Sequence, residues 1–129
     1  MNPLGRHLLA ELTGCPSANL SSLGLVRSAM LEAARASGAH VVTESFHAFS
    51  PLGISGVVIV SESHLAIHTW PECGFAAMDY FTCGEGIDTA RALDVLREAL
   101  GASRIQVARF TRGPFGSLEE VPPPASGSR

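Results

Sequence analysis

Two periodicities of apolar and polar positions divide this chain into elements. Leu4 to Leu12 reads as a first strand, with apolar and polar residues mixed, and Gly14 and Pro16 close it. From about Leu20 to Ser37 the spacing is helical, with Leu23, Val26, Met30 and Ala33 or Ala34 on one stripe. Asn19, Ser21 and Ser22 are available as N-caps, and Gly38 suits the left-handed position past the helix end. Val41 to Phe49 is strand-like until Pro51 and Gly53 break it. Ile54 to Val60 is a β-branched run, Leu65 to Trp70 a further strand before Pro71, and Ala76 to Cys83 another ending at Gly84 and Gly86. Asp88 can cap a second helix carrying Ala90, Leu93, Leu96 and Leu100 on one face, with Gly101 beyond it. Ile105 to Phe110 makes a last strand. Two helices among about six strands, in β-α-β-β-β-α-β-like order with hairpin spacing in the middle, predict an α+β fold. Its mainly antiparallel sheet carries both helices on one face. The other face then needs a cover, and a second copy of the chain is the economical one.

Length agrees with a single domain: 129 residues fall within the usual domain size, here over residues 1–115. Residues 116–129, Pro/Ser/Gly-rich from Pro122 on, are expected to form a disordered tail. Charged residues make up only 16 % of the chain, against roughly 25 % in ordinary domains. So few charges on a small domain again point to a surface that meets another copy. A net charge of −3 argues against binding a phosphate backbone. The longest apolar run, Leu52 to Val60, falls short of the about 20 residues a membrane helix needs. Arg6, His7 and Glu11 interrupt any signal-like start. The expectation is a cytoplasmic protein with no nucleic-acid or membrane partner. Three cysteines without a C-x-x-C pair suggest neither a disulfide framework nor a structural zinc site.

All nine basic residues are arginine, and lysine is absent. That removes a P-loop lysine and a lysine imine to pyridoxal phosphate or a carbonyl substrate. Reactive side chains crowd between Phe49 and Cys83, chiefly in Ser61-Glu62-Ser63-His64-Leu65-Ala66-Ile67-His68-Thr69-Trp70-Pro71-Glu72. A plain reading makes them the solvent face of a strand pair. A metal reading suffers from geometry: His64 and His68 on one strand lie roughly 13 Å apart, too far to share an ion. A Cys83 nucleophile activated by histidine is chemically open, but nothing local identifies the activating group. A third possibility is a serine that becomes a carbonyl cofactor. Its hydroxyl attacks the preceding peptide carbonyl and an ester replaces the amide. Elimination frees the upstream chain, and the dehydroalanine left behind tautomerises and loses ammonia to become a pyruvoyl group. Such a serine needs an exposed turn, donors for the oxyanion and a base for its α-proton. Ser63 has these residue types around it.

The segments Leu4-Gly5-Arg6-His7, Gly53-Ile54-Ser55-Gly56-Val57-Val58, Ser61-Glu62-Ser63-His64, His68-Thr69-Trp70-Pro71-Glu72, Ala76-Ala77-Met78-Asp79 and Phe81-Thr82-Cys83-Gly84 stand in a characteristic order and spacing. Together, from Leu4 to about Gly113, they resemble the short prokaryotic S-adenosylmethionine decarboxylase proenzymes. These are pyruvoyl-dependent enzymes that supply aminopropyl groups for spermidine. The resemblance implies self-cleavage between Glu62 and Ser63 into chains 1–62 and 63–129, with the pyruvoyl group made from Ser63. It needs no metal and no pyridoxal phosphate. Ser63 is the implied Schiff-base partner of the substrate. Ser55 would stabilise the acyl-shift intermediate, His68 would take the α-proton during processing, and Cys83 would reprotonate the substrate after decarboxylation. Phe49, Leu65, Trp70 and Glu72 are the implied substrate contacts, Phe49 on adenine and Glu72 on the ribose hydroxyls.

The family also implies a homodimer of two α and two β chains with shared active sites, an α/β/β/α sandwich. Leu52 and Cys73 depart from the residues common at their positions. Decarboxylation of ornithine or arginine by the same group is the alternative within the chemistry. An uncleaved, non-catalytic binding subunit is the alternative outside it.

Overall fold

The period-two segments form β1 (Gly5–Thr13), β2 (Val41–Ala48), β3 (Ile54–Val60), β4 (Ser63–Trp70), β5 (Phe75–Thr82), β6 (Arg104–Arg112) and β7 (Glu119–Val121). The computed structural model describes residues 3–114 and 118–123. Its single sheet runs β2-β3-β4-β5-β1-β6-β7 with every neighbouring pair antiparallel. β2 to β5 are consecutive hairpins, and β1 inserts between β5 and β6. The helices are α1 (Ser17–Leu20), α2 (Leu23–Ala36) and α3 (Thr89–Leu100), and Pro71–Cys73 form a single 3₁₀ turn.

Capping residues set the helix limits. Ser22 Oγ accepts the Leu25 N–H at 3.1 Å, so α2 begins after Ser22 and not at Leu20. Asp88 accepts the Arg91 N–H at 3.0 Å and opens α3, which ends at Gly101 with φ +72°. The extra helix α1 is one turn long, too short for a periodic pattern to reveal. Three tail residues, Glu119–Val121, are not irregular but pair with Thr111–Arg109 of β6. Residues 116, 117 and 124–129 of the expected tail lie outside the described residues.

Both long helices cover one sheet face. Leu8, Leu12, Val58, Leu65, Ile67, Met78 and Tyr80 point inward from the strands to meet Val26, Met30, Leu96 and Leu100. This is the predicted α+β arrangement with its helices on one side. The opposite face bears no element of the described chain. Leu9 and Ile59 stand on it, each 43 % exposed.

Inside the core, Thr69 joins three elements. Its hydroxyl donates to the Leu20 carbonyl and accepts the Ile54 N–H, both at 3.0 Å. Thr69→Val keeps the shape and orphans both buried backbone groups. Each orphan costs about 1–3 kcal/mol, so urea unfolding should show a loss of that order or its double. An unchanged midpoint would mean that water replaces the hydroxyl.

Candidate active site

The β3–β4 hairpin turns at Ser61 and Glu62, which places the Glu62–Ser63 peptide at one end of the sheet beside the last residues of β5. The Glu62 carbonyl oxygen accepts the Cys83 N–H at 2.9 Å and the Cys83 thiol at 3.2 Å. Two donors on one peptide carbonyl make an oxyanion site for attack at that carbon. Ser63, immediately downstream, has φ +148° and is the one non-glycine residue with positive φ among the described residues. A Cβ is crowded there, and such backbone costs of order 1–3 kcal/mol. The serine that would attack therefore sits in stored strain, next to a carbonyl that is already polarised.

Glu62 itself is tied to His40, at the entrance to β2. One carboxylate oxygen accepts the His40 N–H at 3.2 Å, and the other pairs with ring Nδ1 at 3.0 Å. These bonds, the ring contact first, hold the Glu62 carboxyl below the usual carboxylate range.

Ser55 and His68 lie at the other end of the same hairpin. They are cross-strand partners, with Ser55 Oγ 2.7 Å from His68 Nδ1. Aromatic rings gather at that end: His47 on Phe49 at 4.5 Å between centroids, and Trp70 between His68 at 6.4 Å and Phe75 at 5.4 Å. Phe49 and Trp70 are exposed, as is Glu72 in the 3₁₀ turn. Exposed aromatic faces offer stacking surfaces, and the nearby 3₁₀ turn offers a carboxylate.

The predicted residues thus fall into two groups. Glu62, Ser63 and Cys83 come together, and so do Ser55 and His68, with Phe49, Trp70 and Glu72 at the same sheet end. The two groups do not meet within one chain, because five residues of strand span roughly 16 Å. Leu65 is fully buried in the core on the helix side of β4, apart from the other implied substrate contacts. Strand alternation turned it away from the face that carries His64 and His68.

A further polar group escaped the reading of the sequence. Asp79 Oδ2 receives His7 Nε2 at 2.7 Å and His64 Nε2 at 2.9 Å, and Arg112 reaches His7 Nδ1 at 2.7 Å. Arginine can only donate, so His7 Nδ1 accepts and His7 carries its proton on Nε2. Two imidazoles and a carboxylate would also suit a transition ion, although these atoms are already paired with one another. The network sits on the helix-free face and fixes the ring next to Ser63. His7, His64 and Asp79 were visible in the quoted segments, but only the fold shows that β1, β4 and β5 are neighbours. A cavity of about 520 Å³ on the helix side, lined by Arg6, Tyr80, Thr82, Ile87 and Arg109 among others, contains none of Ser63, His68 or Cys83.

The chain is similar to known proteins over most of its length. A family model described as S-adenosylmethionine decarboxylase matches residues 6–113. The S-adenosylmethionine decarboxylase proenzyme of Thermotoga maritima is 49 % identical over 118 residues, covering 92 % of this chain and 91 % of that one. The proenzyme of Acetivibrio thermocellus is 50 % identical over 115 residues, 89 % of this chain and 93 % of that one. The crystal structure of the adenosylmethionine decarboxylase of Aquifex aeolicus superposes with a TM-score of 0.82 at 32 % identity, covering 90 % of this chain and 96 % of that one.

The strain at Ser63 has a direct consequence. Ser63→Ala keeps a Cβ in the crowded backbone, whereas Ser63→Gly removes it. Calorimetry should find the glycine variant at least as stable as the alanine variant, despite glycine's larger unfolded-state entropy. A clearly more stable alanine variant would show that residue 63 is not strained.

Proposed function

This chain belongs to the S-adenosylmethionine decarboxylase family, and on that premise we propose that it cuts itself between Glu62 and Ser63 and then removes the carboxyl group of S-adenosylmethionine as carbon dioxide. The observation that carries this reading is the Glu62–Ser63 peptide: a strained serine follows a carbonyl held by two donors. Ser63 Oγ forms a bond to the Glu62 carbonyl carbon. The oxyanion develops on the oxygen facing Cys83, and the C–N bond breaks to leave an ester and a free amine on residue 63. A base then removes the Ser63 α-proton, and the electron pair expels the Glu62 carboxylate. Tautomerisation and hydrolysis release ammonia and end chain 63–129 in a pyruvoyl group. That group supplies a carbonyl for the substrate amine and a sink for the electrons released with carbon dioxide. The chain has no lysine that could serve instead.

The remaining steps fall to its own side chains. Cys83, beside residue 63, is placed to return a proton to the substrate α-carbon. Glu72 offers an anion to the ribose hydroxyls, while Phe49 and Trp70 offer faces to the adenine and the sulfonium. Ser55 and His68 form a hydroxyl–imidazole pair able to take up the Ser63 α-proton, provided that it reaches residue 63.

It cannot do so within one chain, and that requirement favours a homodimer. Two helix-free faces packed antiparallel would bring the Ser55–His68 end of one copy to the Ser63–Cys83 end of the other. They would also cover Leu9 and Ile59. In this assembly each site takes Ser63 and Cys83 from one protomer and Ser55, His68, Phe49 and Glu72 from the other. Among the described residues no helix is long and apolar enough to cross a membrane.

Intact-mass spectrometry of the purified protein should find pieces 1–62 and 63–129, whose summed mass equals that of the precursor plus one water and minus one ammonia. A stable uncut chain with full decarboxylase activity would refute the maturation. Cys83→Ala retains the backbone donor to Glu62, so it should still cleave, more slowly, and lose turnover by about 10²–10⁴-fold. The shared site has its own test. Ser63→Ala and His68→Ala chains should each stay uncut alone, and co-expression should restore cleavage of the His68→Ala chain in mixed dimers. Mixed dimers that form without any cleavage would place each site within one chain.

A further inference from the structure

A strained backbone persists only where its neighbours on both sides are fixed. Downstream of Ser63 the antiparallel ladder of β4 with β3 and β5 does this. Upstream, both turn residues share one further partner, His40. The Ser61 N–H donates to the His40 carbonyl at 2.8 Å, and the Glu62 carboxylate takes the His40 N–H and ring. His40 is held in turn by the end of α2, where Ala39 N–H donates to Ala34 O at 3.1 Å and Gly38 N–H to Arg35 O at 3.0 Å. The path of the Glu62 side chain is equally constrained. A Cβ at Gly84 would come within 2.6 Å of Glu62 Cγ, so the chain leaves room for this side chain by having glycine there. The Glu62 side chain is only 18 % exposed, although its partner ring is 79 % exposed.

We propose that Glu62 is a positioning residue for self-cleavage: its carboxylate, clamped on His40 and threaded past Gly84, holds the turn so that Ser63 stays strained and the Glu62 carbonyl stays on Cys83. The inference rests on the maturation reading and deepens it. With the clamp gone, residues 61 and 62 can rotate, Ser63 relaxes to negative φ, and the carbonyl leaves its two donors. The step that suffers is the first one, formation of the Oγ–C bond, because the later elimination needs only the ester and a base. His40 supplies no proton to the reaction. It acts through Glu62, and Glu62 acts through the geometry of the peptide bond.

The test follows conversion of freshly made precursor by denaturing electrophoresis for wild type, Glu62→Ala, Glu62→Gln and Gly84→Ala. Misplacing reacting atoms costs up to about 100-fold, so Glu62→Ala should cleave roughly 10–100-fold more slowly. Glu62→Gln keeps an oxygen for the His40 N–H and an amide for the ring nitrogen, and should stay within about 3-fold of wild type. Gly84→Ala displaces the Glu62 side chain without deleting it and should be slow, which guards against a Glu62→Ala chain that merely folds badly.

In a Ser63→Ala background, where no variant can cleave, adding Glu62→Ala should shift the melting temperature by less than about 4 °C, as for an ion pair whose histidine is largely exposed. Hydroxylamine, which cuts esters, should not cleave the accumulated Glu62→Ala precursor. Wild-type rates in Glu62→Ala, or a Gln variant as slow as the Ala variant, would overturn the clamp. So would hydroxylamine cleavage of the precursor, since the ester would then have formed without the clamp. An uncut wild-type chain would instead refute the maturation reading, and the clamp with it.

Discussion

An extended strand holds its residues apart. At about 3.3 Å per residue, Ser63 and His68 on β4 are separated by most of the length of the hairpin, and nothing in an antiparallel ladder lets the strand fold back. Every feature of the site follows from that rigidity. The serine and Cys83 occupy one end of the sheet, the Ser55–His68 pair and the exposed aromatics the other. A chain built this way packs its core alone, and in the proposed reading it completes its chemistry with a second copy. Ser55, His68 and Cys83 stand on the sheet face that lacks helices, the face that the proposed second copy covers.

The ladder also explains how so small a protein stores reactivity. β3, β4 and β5 fix the residues downstream of the turn, while Cys83 and His40 hold the turn from its upstream side. The strain at Ser63 lies between two anchored segments and cannot dissipate into a flexible loop. In the proposed cleavage, the attack that forms the ester removes the peptide bond that imposes it. Because Cys83 engages the Glu62 carbonyl with both its N–H and its thiol, the thiol can serve cleavage without being essential to it. In the proposed reaction it is then already beside residue 63 for the decarboxylation that follows.

The Asp79 carboxylate plays a quieter part. By accepting from His7 and His64 it assigns a proton to Nε2 of both rings, and Arg112 closes the chain at His7 Nδ1. This fixes the ring that follows Ser63 and places polar groups of paired hydrogen bonds in the middle of a face otherwise lined by Leu9, Ile59 and Phe81. In the proposed dimer such a network would give the packing a preferred register, since a mismatched partner would leave these groups unpaired.

Much of this was written in the order of residues. Alternation along β1 to β6, the caps Ser22 and Asp88, and the breaks at Pro71 and Gly101 are local, and local preferences read directly from the sequence. The absence of lysine and the residue types around Ser63 left a serine-derived carbonyl open without any coordinate, and the resemblance of the quoted segments then named Ser55, His68 and Cys83 beside it. What the sequence could not express was adjacency between distant segments. The short strand at Glu119–Val121 exists only because β6 offers it an edge. That the Leu65 side chain turns into the core was decided by the inward face of β4. His40 meets Glu62, and His7 meets Asp79, because the chain crosses from one sheet position to another. Those pairings form from segments far apart in the chain, and only the closed sheet decides them.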